Sequence, residues 1–268
     1  MTQETAMNRR DMLKETAVAI LVSQLPAISA PKTADPTPAL APLPDYLADY
    51  ELPRGNSNDP TQTQTLTFDI VEWRVGPKRL KVTNAVIGSL TIERTPEADR
   101  TVYRTKRVIH KVETVTGKFI CAKDDWRSLQ EWRLQHVLHR AGNPRRVKLL
   151  STRQTGKANR TGYELTRDGG TRKAALDLPL TCQGGLIDLL PSLDLAAKPH
   201  FALVEGASGV RPDQRLQMQG EHTVAGQTTR SILQTGHATI PTHWIIDDQD
   251  RPLFITTFLL SLALVEIS

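Results

Sequence analysis

From about Thr65 onward the chain reads as short runs of alternating apolar and polar residues separated by turn formers. In Leu66-Thr67-Phe68-Asp69-Ile70 every second side chain is apolar, which sets one strand face toward a core. Val71-Glu72-Trp73-Arg74-Val75 continues in the other phase, which predicts a bulge or a strong bend. Gly76-Pro77 ends that strand. Val86 to Arg94 alternates again, with Val86, Leu90 and Ile92 on one face. Thr101 to Val115 contains no Gly or Pro; as one strand it would reach roughly 50 Å and would have to curl. Further strands are expected at Lys118–Ala122, Val147–Thr152, Thr161–Thr166, Lys173–Leu178 and His200–Val204. The series ends with Leu216–His222, Thr228–Thr235, His243–Ile246, Leu253–Phe258 and Leu260–Glu266. Spacing of about ten residues, with polar turns between, predicts an antiparallel all-β domain.

Two segments depart from that rhythm. Gly184 to Leu193 places Leu186, Leu189, Leu190 and Leu193 at helical spacing, so a short helix packed on the sheet is expected, interrupted near its end by Pro191. Trp126 to His139 fits either period. Asp125 could cap a helix and Gly142 with Pro144 could stop it. As a strand, Trp126, Trp132, Leu134 and Leu138 share one face with His136, and we favour strand because a helix would smear the apolar residues around its circumference.

The region before Thr65 has no such pattern. Residues 31–64 contain seven prolines with much Asn, Asp, Thr and Gln, the composition of an extended, flexible linker. Tyr46, Leu47, Tyr50 and Leu52 are its candidates for docking on the folded part. Residues 1–30 combine Asn8-Arg9-Arg10-Asp11-Met12-Leu13-Lys14, an apolar stretch from Ala17 to Leu25, and small residues at Ser29 and Ala30. This segment resembles a twin-arginine signal peptide, with Met12 where Phe is common. The resemblance implies export to the periplasm or another extracytoplasmic space, with cleavage near Ser29 or Ala30. The organisation expected is thus a signal peptide at 1–30, a linker at 31–64 and one β-rich domain at 65–268.

Composition narrows the class. In 268 residues only 5% are aromatic, so the core must be built from Leu, Val, Ile and Ala. Two cysteines exclude a disulfide-rich scaffold and a four-cysteine zinc module. The formal charge of +5 is unevenly spread. Residues 74–173 hold 24 Lys and Arg against 9 Asp and Glu, a net of +15, while residues 31–64 carry −3. A surface that basic attracts polyanions. Anionic lipid head groups, acidic glycans or an acidic partner would suit it; a solvated strand face, where Lys and Arg guard edges, is the plainer reading. No nucleic-acid-binding pattern occurs.

Signatures of catalysis are sparse. Gly206-Ala207-Ser208-Gly209-Val210 has the wrong spacing for a nucleophile elbow, and no phosphate loop, dinucleotide fingerprint or zinc-protease motif occurs. His237 and His243 lack a clear third metal ligand, so neither a metal nor a cofactor is expected. Asp247-Asp248-Gln249-Asp250 lies between two apolar runs and reads as a hairpin loop; Asp124-Asp125 reads as a turn or cap. Cys121 and Cys182 are possible disulfide partners if the chain is exported, or else buried thiols. Trp73, Trp126, Trp132 and Trp244 all fall in predicted strands and are the candidate ligand-binding residues, with core packing as the plainer use.

Curled strands around one Leu-rich helix, followed by Gly236, Pro241-Thr242-His243-Trp244-Ile245-Ile246, a hairpin and Arg251-Pro252-Leu253, resemble the open-barrel domains of the lipoprotein-localisation-factor type. The resemblance implies a mainly β fold, a curved antiparallel sheet or half-closed barrel with one short helix around an apolar cavity. The function expected is therefore an exported soluble binding protein for a lipid-like, amphipathic ligand, with a basic face toward an anionic membrane surface. A periplasmic enzyme with an unrecognised site, or a structural module of the envelope, is the alternative.

Overall fold

The computed structural model describes residues 38–55, 57–75, 82–139, 150–206, 209–257 and 260–268. The signal-peptide segment lies outside them, as do residues 31–37 of the expected linker. Among the described residues, two short α-helices, α1 (Pro44–Ala48) and α2 (Gln183–Leu189), accompany sixteen strands. These are β1 (Arg54–Gly55), β2 (Gln64–Val75), β3 (Val82–Pro96), β4 (Arg100–Ile109), β5 (Glu113–Ala122), β6 (Leu129–Leu138), β7 (Leu150–Asn159), β8 (Gly162–Arg167) and β9 (Gly170–Ala175). Then follow β10 (Leu180–Cys182), β11 (His200–Val204), β12 (Val210–Val224), β13 (Gln227–Gly236), β14 (Thr242–Asp247), β15 (Pro252–Thr256) and β16 (Leu260–Ile267).

All sixteen belong to one open sheet. Its path runs from β10 through β16, crosses to β2, and continues to β9; β1 pairs in parallel with the end of β16. Except for β10 with β11, the neighbours along the path are antiparallel. The expected mainly β fold with a short helix is thus the observed one. The sheet bends over itself. Inward side chains of β2–β6, such as Phe68, Leu90, Phe119 and Trp132, share one core with Phe201, Ile232, Trp244 and Leu264 from the other half. Helix α2 fills the space between, burying Leu186, Ile187 and Leu190. It ends at Leu189, ahead of Pro191 and short of the expected Leu193. Gly184 lets it approach Tyr103 closely: a Cβ there would lie 2.6 Å from the ring.

The expected irregularity at Ile70–Val71 is present as a register shift opposite Gly88 and Val86, where β3 carries the extra residue. Val86 is consequently turned out and half exposed, instead of joining Leu90 and Ile92. Val71 and Trp73 are apolar for a second reason: they lie under the N-terminal segment.

That segment departs most from expectation. Its described residues, from Pro38 onward, pack on the sheet well before Thr65. Leu40 and Leu43 are fully buried against Val71, Ile245, Phe254 and Ala263, with Tyr46, Leu47, Tyr50 and Leu52 packed around them. Tyr50 packs tilted against Phe254, ring centroids 4.6 Å apart, and donates its hydroxyl to the Leu264 carbonyl at 3.0 Å. Asn84 of β3 accepts from the Tyr46 N–H at 3.1 Å and donates to the Pro42 carbonyl at 2.9 Å. Proline-rich composition disfavours helix and sheet, yet a few large apolar side chains suffice to bind the segment as a strap across the sheet's outer face.

Thr101 to Val115 is also corrected. It is two strands, β4 and β5, joined at His110-Lys111-Val112, where Lys111 takes a positive φ of 60°. A turn made without Gly or Pro leaves no punctuation to read. Trp126 to His139 is a strand from Leu129 onward, while Trp126 and Arg127 sit in the preceding turn.

Candidate functional site

The four tryptophans do not gather around one space. Trp132 and Trp244 are 1% and 2% exposed and belong to the core. The Trp132 ring lies on the backbone of β7, which Gly156 permits; a Cβ there would sit 2.0 Å from it. Trp244 donates its indole N–H to Gln234 at 3.0 Å, and Gln234 in turn donates to Gln214 at 2.9 Å. Trp73 packs with the strap on the opposite face of the sheet. Trp126 borders a surface cleft, braced by Phe201 at 6.0 Å, while the edge of Trp132 reaches a smaller depression beside Lys118 and Arg133. Leu138 is half exposed at the end of β6, although Trp132 and Leu134 point inward. His136 has the partner that an inward histidine needs: its Nε2 lies 2.7 Å from Glu113, whose other oxygen accepts from Arg107 at 2.7 Å.

Cys121 on β5 and Cys182 at the N-cap of α2 are brought together as two buried thiols with their sulfurs 3.7 Å apart. Burial pushes the Cys121 thiol up, and the Cys182 sulfur accepts from the Gly185 N–H at 3.4 Å.

Both expected turns hold. Asp124 accepts from the N–H groups of Trp126 and Ser128 at 3.2 and 2.8 Å. Asp247 accepts from the N–H groups of Gln249 and Arg251 and from the Arg251 guanidinium.

Sequence reading did not find the charged node between β3, β4 and α2. Arg94 and Tyr103 are cross-strand neighbours on the inner face, and both bind Asp188 of the helix. All five Arg94 N–H donors are used: on Asp188, Asn58 and Gln64 side chains and on the carbonyls of Gln62 and Asp59. Burial pushes the Asp188 carboxyl above its usual range, against the opposing pull of Arg94 and Tyr103. Burial, then the nearby Asp188 charge, pushes the Tyr103 hydroxyl up as well. Both carboxylate oxygens are engaged and the side chain is 1% exposed, so Asp188 is out of a substrate's reach. The node ties strap, sheet and helix together. Its signals were a charge in the apolar phase of Leu90, Ile92 and Arg94, and a single carboxylate on an apolar helix.

The second charged region is the outer face of β4–β6. Register places Arg104 opposite Lys118 and Lys118 opposite Arg133, three exposed cations side by side. One row along, Lys106 and Arg153 flank Thr116 and Gln135 on the same face. Glu93 borders the row opposite Arg104. Among the described residues none of these five cations is in an ion pair, whereas neighbouring Lys157 and Lys173 meet Glu131 and Glu164. Like charges directly opposite each other on adjacent strands destabilise a sheet, so this ladder is maintained against its own repulsion.

No protein-family model matches the chain, and neither a curated protein nor a solved structure is similar to it.

Proposed function

We propose that this protein is an exported binding module that meets an anionic membrane surface through the outer face of β4–β7. The observation that carries this reading is the Arg104–Lys118–Arg133 ladder, which forms no ion pair within the described residues, although Glu93 borders it, and costs the sheet stability. A layer of anionic head groups would supply the missing countercharge, at about 1 kcal/mol for each Lys or Arg near the surface. The amphipathic partner expected from the sequence is then the bilayer itself; Trp132 and Trp244, sealed in the core, offer it no internal place.

The test is co-sedimentation with vesicles of zwitterionic lipid and of the same lipid mixed with an anionic one. Binding is expected for the anionic vesicles alone, decreasing as salt rises. Replacing Arg104, Lys118 and Arg133 together by Gln should weaken partitioning roughly a hundredfold. Equal binding to both vesicle types, or an unchanged affinity in the triple variant, overturns the reading.

A further inference from the structure

We infer that the cleft outside the Asp188 node binds a neutral polyhydroxylated ligand, a saccharide of a few rings. The cleft encloses about 690 Å³ where the β5–β6 turn, the end of α2, the strap and the β14–β15 hairpin meet. That is within the usual range for small-molecule sites, about 300–1,000 Å³. Its wall and rim carry three kinds of group.

The first is a planar apolar surface. Trp126, half-buried and backed by Phe201, can stack against the C–H face of a sugar ring. The second is a set of donors without acceptors. Asn58 is 5% exposed, lines the cleft, and spends its oxygen on Arg94; its Nδ2 has no partner. Arg127, on the same cleft, has its Nε buried without a partner. Its backbone is pinned in the left-handed region, φ 47°, by the bond from its N–H to the Asp124 carbonyl and by the Thr181 hydroxyl on its own carbonyl. Strain of this kind is concentrated at binding sites. The third is a mainly acidic rim: the carboxylates of Asp124, Asp125, Asp194 and Asp250, the last already paired with Arg230, outnumber the one lysine, Lys123. Asp125 is exposed, and none of the described residues binds its side chain.

This mixture selects the ligand. The rim carboxylates repel an anion, and the guanidinium and amide donors have nothing to offer a simple cation. A hydroxyl group both donates and accepts, so a polyol satisfies Asn58 and Arg127 with its oxygens and the rim carboxylates with its protons. The inference does not rest on the basic face: none of Arg104, Lys118 and Arg133 lines the cleft, which is reached at the turn joining β5 and β6.

Saturation-transfer difference NMR on the full chain, with maltotriose, xylotriose and triacetylchitotriose as probes at millimolar concentration, tests it. Transfer to at least one of them is expected. It should be abolished in Trp126→Ala and reduced in Asp125→Ala, an exposed substitution that leaves the fold intact. It should be unchanged in Lys118→Thr. No transfer to any probe overturns the inference, as does binding that survives both cleft variants or depends on Lys118. Because vesicle binding is read separately, either proposal can fail while the other stands.

Discussion

Arg94 and Arg104 lie ten residues apart on neighbouring antiparallel strands, and their fates are opposite. Arg94 points inward, is 1% exposed, and places every N–H on an acceptor. Arg104 points outward beside Lys118 and Arg133 and has no ion-pair partner within the described residues. The same side chain is thus a structural bolt in one place and a source of unneutralised field in the other. Water makes the difference. Outside, solvent screens the repulsion over about 10 Å at 0.1 M salt, so a ladder of cations is tolerated. Inside, a guanidinium survives only when each donor is satisfied and an opposite charge is near.

The widest separation between the two should come from deletion. Arg94→Leu leaves the Asp188 carboxylate buried without its countercharge and should lower unfolding free energy by about 3–5 kcal/mol in urea titration. Joining it to Asp188→Leu should recover part of that loss. A double variant as unstable as the sum of the singles would mean that the pair holds nothing together.

Tyr103→Phe comes next. It removes one hydrogen bond of 2.7 Å to a charged group, about 1.5–3 kcal/mol, while keeping the ring against Gly184.

The same node has a pH signature. The Asp188 carboxyl is raised on folding, so the folded chain holds that proton more tightly than the unfolded one. Its contribution is fully present below the ordinary aspartate value of about 3.9 and is lost as pH rises through the raised value. The stability difference between the wild type and Asp188→Asn should therefore shrink as pH rises above about 4. A difference that grows with pH would show that Arg94 outweighs burial.

The ladder should give the smallest effect and the opposite sign. Lys118→Thr removes the middle cation and should stabilise the fold by up to about 1 kcal/mol at low salt, measured by thermal unfolding. The gain should fade at high salt. Destabilisation at low salt would mean that the Lys118 stem contributes packing that outweighs the repulsion.

Several parts of this structure were legible in the order of residues. Two-residue alternation identified β2, short β-like runs between turn residues identified β11, β13, β14 and β16, and the i, i+3, i+4 leucines identified α2. Asp124 and Asp247 read correctly as turn residues, because an Asx bond closes within four positions and needs nothing from elsewhere. Each of these signals is local. Where local punctuation was missing, as at Lys111, the reading ran two strands together.

Contacts made far along the chain were a different matter. Asp188 meets a guanidinium 94 positions away, and Tyr50 meets a carbonyl 214 positions away. Nothing in their neighbours specifies either partner. The excess of positive charge between residues 74 and 173 was visible in the composition, but its alignment into Arg104, Lys118 and Arg133 was not. That alignment depends on the register of three strands, and a slip of one residue would turn those side chains to the other face. The sequence by itself determined that this chain folds into strands around one helix, which face of many strands is apolar, and where its charge is concentrated, because periodicity and composition are properties of neighbouring residues. Only the tertiary structure decided that a proline-rich segment becomes a strap, that one arginine is locked inside and another left bare, and that two thiols meet, because pairing and burial are set by what the folded chain brings together.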